Sequence, residues 1–310
     1  MALKWSPLSN LAFRASYTES FRAPVLKQLF GAQEEGAITI TNPSQCRGLG
    51  VPVTVDPDDG SESCLVNAFQ VNGSNPGLKP EKGKTFNVGV VFEATADLSA
   101  SIDWWQIKKT DDISSPSITS AIEAGLFEQR GARYYVFTNL QNIAERENAG
   151  VDLDARYRLR GTPIGNLSFR NLLTYYTTTK SRSSAGDEWA DFLGTYATPR
   201  FRNGFSVTGE LGPWTYNAAW RTVGGFWDTD EAKPIDAGVR KVKKHEELDL
   251  QVQYSGFKGF ELTFGIKNAL DNEPPLSLTN ALDNAYTQMG FAELYSARGR
   301  FYYLAGKYAF

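Results

Sequence analysis

Apolar and polar residues alternate one by one along several segments of this chain, and the period of two predicts β-strands rather than helices. Segment 151–160 is the clearest example, because its odd positions are apolar or aromatic and its even positions are all charged. Successive side chains of a strand point to opposite faces, so the charged face of this strand must lie in water. The charged residues predicted to share that face begin with Asp152, Asp154, Arg156 and Arg158.

The same alternation predicts about ten strands, and the connections between them alternate strictly between short turns and long loops. The predicted short turns lie near 7–10, 95–97, 161–165, 211–213 and 255–259. The predicted long loops cover about 20–83, 111–142, the fifteen or so residues before 201, 224–243 and 268–296. A short helix is predicted near 118–127. Such asymmetry between the two ends is typical of an antiparallel up-and-down transmembrane β-barrel.

A soluble β-sandwich or lipocalin-like barrel also alternates polar and apolar residues, so this pattern alone leaves a soluble binding module open. Two further features favour the membrane. Segment 298–310 is an alternating strand that ends on an aromatic residue, and it is long enough for a tilted crossing of a bilayer. Aromatic residues lie near the predicted strand ends, as in an interfacial girdle: Trp5, Trp104, Trp105, Trp214, Trp220 and Tyr254.

Composition excludes some functions. The 32 basic and 35 acidic residues give a net charge of −3, which argues against a nucleic-acid partner. His245 is the only histidine, so a histidine-based metal site or catalytic triad has no second candidate, and we expect this side chain to face water at a strand start. No phosphate-binding loop is found, and we predict no enzyme activity and no cofactor.

Four segments resemble TonB-dependent outer-membrane receptors, in the order and spacing of that family. They are Ser-Tyr-Thr-Glu-Ser-Phe-Arg-Ala-Pro at 16–24, Asn-Pro-Gly-Leu-Lys-Pro-Glu-Lys at 75–82, Lys-Asn-Ala-Leu-Asp-Asn-Glu-Pro-Pro at 267–275, and Arg-Gly-Arg before the aromatic final strand at 298–300. The resemblance covers nearly the whole chain. It implies a 22-stranded barrel plugged by an N-terminal domain, of which residues 1–310 supply the C-terminal part, about the last ten strands. The signal peptide, TonB box, plug domain and first strands are not among these residues, and we expect the chain to be a fragment of a longer receptor.

The resemblance implies active uptake of a scarce nutrient across the bacterial outer membrane, with cargo bound by extracellular loops. The cargo class stays open between ferric siderophore, haem, cobalamin and oligosaccharide. Outer-membrane lipid and the barrel-assembly machinery are the other expected partners, and the TonB complex would act only through the missing N-terminal part. Tyr308 and Phe310 are the expected assembly signal. The alternative is a passive or structural barrel without energised transport.

The candidate site residues follow from this assignment. Cys46 and Cys64 are the only cysteines, and in an exported protein a pair so close in sequence predicts a disulfide. The acidic segment 56–62 fails the spacing of a calcium loop and is predicted to be a solvated turn. Loop aromatics and cations are the candidates for cargo contact, although packing within a loop is the commoner role of any one of them. These candidates are Arg47, Arg130, Arg133, Tyr134, Tyr135, Trp189, Trp227 and Tyr286.

Overall fold

The computed structural model describes residues 1–42, 65–184, 186–196, 198–279, 294–296 and 298–309, and these residues form a β-protein with two short helices. No helix in these ranges is long and apolar enough to span a membrane. In chain order the elements are β1 (Ala2–Leu8), β2 (Leu11–Arg22), α1 (Leu26–Phe30), β3 (Glu34–Thr41), β4 (Leu65–Asn72), β5 (Glu81–Thr95), β6 (Leu98–Ser114), α2 (Ile118–Glu123), β7 (Phe127–Arg130), β8 (Arg133–Phe137), β9 (Gln141–Thr162), β10 (Gly165–Arg182), β11 (Ala190–Asp191), β12 (Phe201–Leu211), β13 (Trp214–Val223), β14 (Phe226–Trp227), β15 (Lys241–Val242), β16 (His245–Phe257), β17 (Phe260–Lys267) and β18 (Phe301–Tyr308).

One antiparallel sheet contains most of these strands, in the order β1-β2-β5-β6-β9-β10-β12-β13-β16-β17-β18. Tight turns join β1 to β2, β5 to β6, β9 to β10, β12 to β13 and β16 to β17, and long segments make the other connections between neighbouring strands on this path. The predicted up-and-down, antiparallel all-β fold is therefore confirmed, with eleven strands on this path where about ten were expected. In the described residues β1 and β18 each pair with one neighbour only, so the sheet is a partial barrel that is not closed.

The two faces of the main sheet differ as the alternation predicts. On β6, Ile102 lies beside Val90 of β5 and Leu153 of β9, and this apolar row continues across the neighbouring strands. Many of these apolar side chains have no protein covering them; Ile102 is 49% exposed and Leu304 of β18 is 69% exposed. We call this the apolar face, and the opposite side, which carries Ser101 on β6, the polar face.

Aromatic side chains mark both ends of the apolar face. At the turn end Trp214 contacts Tyr254 with ring centroids 4.6 Å apart. Toward the loop end Phe86 meets Trp104 edge to face at 6.0 Å. Aromatic rings prefer the boundary between apolar and aqueous surroundings.

The long loops contain more regular structure than their sequences predict. Strands β3, β4, β8 and β7 form a separate four-stranded sheet, in which β4 and β8 run parallel. We call it the loop sheet. The predicted helix appears as α2, and it packs on one face of the loop sheet around Ile40, Ala68, Ile122 and Val136, all of which are buried. Residues 34–41 and 65–72, assigned by sequence to one irregular loop, are therefore strands: they pair with each other, and 65–72 also pairs with β8 of the second long loop.

Candidate functional site

The charged residues of β9 lie together on the polar face. Asp152, Asp154, Arg156 and Arg158 alternate along the strand, and Arg156 lies directly across from Arg170 of β10. Two cations facing each other across a ladder repel. Asp154 separates them, because it accepts hydrogen bonds from Arg156 at 2.8 Å and from Arg170 at 3.0 Å. The structure places Asp154, Arg156 and Arg170 in one ion-pair network on the wall of the partial barrel, and Asp152 accepts a hydrogen bond from Thr174 at 2.7 Å.

A second ion pair lies on the same face between residues 89 positions apart. Arg14 of β2 donates to both carboxylate oxygens of Asp103 on β6, with its Nε 2.7 Å from Oδ1. The two strands are not neighbours; β5 runs between them, and its Gly89 lies next to Asp103. A Cβ at position 89 would collide with the Asp103 carboxylate. Glycine is required here because the ion pair crosses above the strand at this position.

A buried carboxylate fixes the loop-side ends of three strands. Glu81, the first residue of β5, is 1% exposed and accepts a hydrogen bond from Arg22 at the end of β2. It also accepts from Lys109 Nζ and from the backbone N–H of Ile113 on β6, both at 3.0 Å. Lys109 in turn contacts Asp112 at 2.6 Å. These bonds hold the positions from which the first two long loops depart.

The ring of Trp189, a predicted cargo contact, contacts three cations of its own chain. Lys180 Nζ lies 4.8 Å and Arg182 Cζ 4.9 Å from the centre of its ring, and Lys108 lies at 5.8 Å. Arg182 also pairs with Glu145 at 3.0 Å. Cation–π contact and the ion pair together anchor this loop to the ends of β6, β9 and β10.

Four other predicted cargo contacts meet in the hairpin β7–β8: Arg130, Arg133, Tyr134 and Tyr135. Tyr134 lies on the covered face of the loop sheet, where it stacks on Phe127 with centroids 5.6 Å apart. Tyr134 therefore packs within the loop, and the other three residues lie on the opposite face.

That opposite face carries a continuous patch of aromatic rings and guanidinium groups. Tyr135 stacks on Phe69 of β4 at 5.7 Å. Arg130 lies over Tyr135 at 5.2 Å and over Phe137 at 5.3 Å, while Arg133 lies over Phe69 at 5.5 Å. Both arginines are exposed. We call these five residues the loop-sheet patch. Phe69 and Phe137 were not predicted from the sequence, and segment 65–72 shows no clean alternation that would have located Phe69.

Trp227, another candidate, lies in β14 under Lys241, whose Nζ is 5.5 Å from the ring centre. The neighbouring Asp228, which sequence reasoning did not single out, is a tether for the last loop. It accepts hydrogen bonds from Ser277 Oγ at 2.5 Å, the Leu278 backbone N–H at 2.9 Å and Arg240 at 2.5 Å. Burial opposes ionisation of Asp228, but these donors outweigh it and lower its pKa to about 2.

The prediction that His245 faces water was wrong. His245 is 6% exposed, with Nε2 3.2 Å from Glu247 Oε1 and its ring 5.0 Å from that of Tyr295. Tyr295 belongs to the last loop, which comes back over the start of β16. Burial raises the pKa of the Tyr295 phenol to about 12. A contact between residues 50 positions apart is not visible in the local pattern.

The family model for the β-barrel of TonB dependent receptor-like proteins matches residues 1–269. The chain belongs to this family. TonB-dependent receptors are transport receptors rather than enzymes, and the recognition made from the four sequence motifs is confirmed.

Solved TonB-dependent receptors share the fold of the whole chain. A mutant of the ferric enterobactin receptor PfeA from Pseudomonas aeruginosa superposes with a TM-score of 0.66 at 15% identity, and the siderophore receptor PirA from Acinetobacter baumannii with 0.68 at 14%. The copper transporter OprC gives 0.59 at 17%. The alignments cover 100% of this chain but only 39%, 40% and 39% of those three proteins. None of the curated proteins matches the chain in sequence.

Several predicted residues of this TonB-dependent receptor lie outside the described ranges: Cys46, Cys64, Arg47, Tyr286, Phe310 and the acidic segment 56–62. Tyr308, the other half of the expected assembly signal, lies on the apolar face at the end of β18, opposite Phe260, and is 60% exposed. Among the described residues no group of three or more His, Cys, Asp or Glu side chains is arranged to hold a metal ion.

Proposed function

We propose that this chain supplies the C-terminal strands of an outer-membrane TonB-dependent receptor that actively takes up a scarce nutrient such as a ferric siderophore. The observation that carries the proposal is the combination of an uncovered apolar face with a loop-sheet patch beyond one end of the strands. The apolar face requires lipid, and the loop-sheet patch offers a ligand surface at the end of the sheet where the long loops lie.

Lipid is the solvent that suits the apolar face. Its side chains form a band bounded by aromatic residues, and in this band Ile102 is about half exposed and Leu304 is 69% exposed. Soluble proteins rarely expose a continuous apolar surface of this extent. A band of this kind is the outer surface of transmembrane barrels.

The loop-sheet patch suits an anionic ligand with planar groups. Guanidinium groups bind carboxylate or phenolate oxygens through paired N–H donors, and aromatic rings stack on flat ligand surfaces. Arg130 and Arg133 lie above the rings and are exposed, and the Nε of Arg130 donates to Glu128. Ferric siderophores of the catecholate type combine negative charge with aromatic groups, and two of the structural neighbours are siderophore receptors. Energised transport would use the TonB complex through the part of the receptor that precedes these strands.

Binding of ferric enterobactin, followed by tryptophan fluorescence of the purified chain in detergent, tests the patch. The double variant Arg130→Ala/Arg133→Ala should weaken binding by about 100-fold or more, because it removes two charge-assisted contacts of about 1.5–3 kcal/mol each. The matched control Arg158→Ala/Lys258→Ala removes two exposed cations near the turn end of the main sheet and should leave binding unchanged. Equal losses in both variants, or none in either, would contradict the role of the patch.

Planar-bilayer conductance separates energised uptake from the passive alternative. A receptor whose barrel is plugged is silent in this assay. Large, open channels recorded from the native protein would favour a passive barrel and contradict active transport.

A further inference from the structure

A pocket of about 640 Å³ lies where the hairpin β14–β15 meets the loop-side ends of β10 and β12. Two of its walls are Tyr175 and Phe201, which pair across β10 and β12 on the apolar face. Phe226 and Val242 of the hairpin, both buried, form another wall. The pocket therefore opens at the boundary between the apolar face and the loops.

Five basic side chains line this pocket, and none of its described lining residues is Asp or Glu. The five are Arg200, Lys233, Lys241, Lys243 and Lys244. Lys233 pairs with Asp191 at 3.1 Å and Lys244 with Glu246 at 3.0 Å. Within the described part of the chain, Arg200, Lys241 and Lys243 have no carboxylate partner, and all three are exposed.

This charge distribution differs from that of the polar face. There, cations alternate with carboxylates, as Asp154 does between two arginines and Asp249 does between Arg221 and Lys267. In the pocket three of the five cations, Arg200, Lys241 and Lys243, have no such compensation among the described residues, in a chain whose net charge is −3. An anion of more than one charge would compensate these cations.

We propose that the pocket binds the phosphate groups of a phosphorylated lipid in the membrane leaflet on the loop side, whose acyl chains lie along Tyr175 and Phe201. The position decides in favour of a lipid over a soluble anion. The cations adjoin the apolar face at the level of its aromatic boundary, which is where headgroup phosphates of a surrounding bilayer lie. Lys244 shares its side of β16 with Glu246 and hence with Leu248, so its ammonium group lies on the lipid-facing side of the sheet.

The lysines and the aromatic rings contact different parts of the lipid. Lys241 and Lys243 bracket the buried Val242 and meet the phosphates as point charges. Tyr175 and Phe201 supply apolar contact for the first methylene groups of the chains. The assignment depends on placement of the chain in a membrane, but it is independent of the cargo and of energised transport.

Titration of the full chain with bis-phosphorylated lipid A in neutral detergent, followed by microscale thermophoresis, tests this site. Lys241→Gln/Lys243→Gln should weaken lipid A binding about 20-fold, because each cation near an anionic lipid surface contributes several-fold in affinity. The control Lys4→Gln/Lys258→Gln removes two exposed cations that have no ion pair in the described residues and lie at the turn end; it should bind as the native chain does. Circular dichroism verifies that each variant keeps its β-structure.

A second measurement separates phosphate recognition from contact with the acyl chains. Dephosphorylated lipid A should bind the native chain about as weakly as lipid A binds the double variant, and the variant should no longer distinguish the two lipids. Equal binding of both lipids by the native chain overturns the proposal, and so does displacement of lipid A by excess inorganic phosphate, which would indicate a site for a free anion. Ferric enterobactin binding by the Lys241→Gln/Lys243→Gln variant should be unchanged, so failure of the lipid site and failure of the cargo proposal give different results.

Discussion

Introducing one arginine at two adjacent positions of β6 tests which face of the main sheet lies in lipid. Ile102 lies on the apolar face, in a row between Val90 and Leu153. Ser101 precedes it on the same strand and faces Asp154 across to β9. Ile102→Arg and Ser101→Arg therefore add the same side chain at the same depth, on opposite faces.

The expected magnitudes differ widely. An arginine on the lipid face of a transmembrane barrel costs about 2–4 kcal/mol near the middle of the bilayer. On the apolar face of β6, Ile102 is the next residue from Trp104 and the second from Leu98, so it lies close to the middle of the apolar band. A cost of about 3 kcal/mol lowers the folding equilibrium constant by about two orders of magnitude. At position 101 the guanidinium group enters the polar network beside Asp154, and we expect a change within about 0.5 kcal/mol.

Equilibrium unfolding in urea measures both changes in chains folded into phosphatidylcholine vesicles and followed by tryptophan fluorescence. The midpoint should fall for Ile102→Arg and stay near the native value for Ser101→Arg, with similar slopes in all three proteins. Equal tolerance of the two substitutions, or a larger loss for Ser101→Arg, would refute the assignment of the apolar face to lipid.

Two further predictions concern single side chains. Gly89→Ala should destabilise the fold by about 1–3 kcal/mol in the same urea assay, because the added methyl group displaces the Asp103 carboxylate. The control Gly204→Ala places its new Cβ more than 4 Å from any atom beyond the adjacent residues and should be neutral or slightly stabilising. The hydrogen bonds of Asp228 should weaken in acid, because the pKa of Asp228 is about 2 in the folded chain and about 3.9 in the unfolded chain. The stabilisation by the ionised carboxylate is therefore present above about pH 4 and is lost as the pH falls through about 2. Hydrogen exchange at the Leu278 amide should show this loss, about 2 kcal/mol of protection, and Asp228→Asn should remove the pH dependence; protection that is the same at pH 7 and pH 2.5 would contradict it.

Much of the main sheet could be predicted from the sequence because the patterns that specify its strands and turns lie within short segments of the chain. Alternation at segment 151–160 determines which side chains of β9 share a face, and turn residues such as those at 161–165 mark where the chain reverses. The predicted strand was nevertheless shorter than β9, which begins at Gln141. Its first ten residues include a charged segment without clear alternation, and pairing with β6 and β10 holds it in the sheet.

The candidate site depended on contacts that no local pattern carries. The loop sheet joins β4 to β8 across more than sixty residues, and its parallel pairing has no hairpin turn to indicate it. Arg14 and Asp103 meet over a strand that lies between them. His245 was misplaced for the same reason, since the residue that covers it, Tyr295, comes from a distant loop.

The parallel pairing of β4 with β8 makes two loops of the receptor one mechanical unit. Four consecutive residue pairs, from Ala68–Tyr134 to Val71–Phe137, join the two loops, and α2 packs on the covered side of the same sheet. Neither loop can swing outward alone without breaking this ladder and exposing Val136. A displacement of β4 or β8 would therefore be transmitted to both loops at once, so the two loops constrain each other's positions.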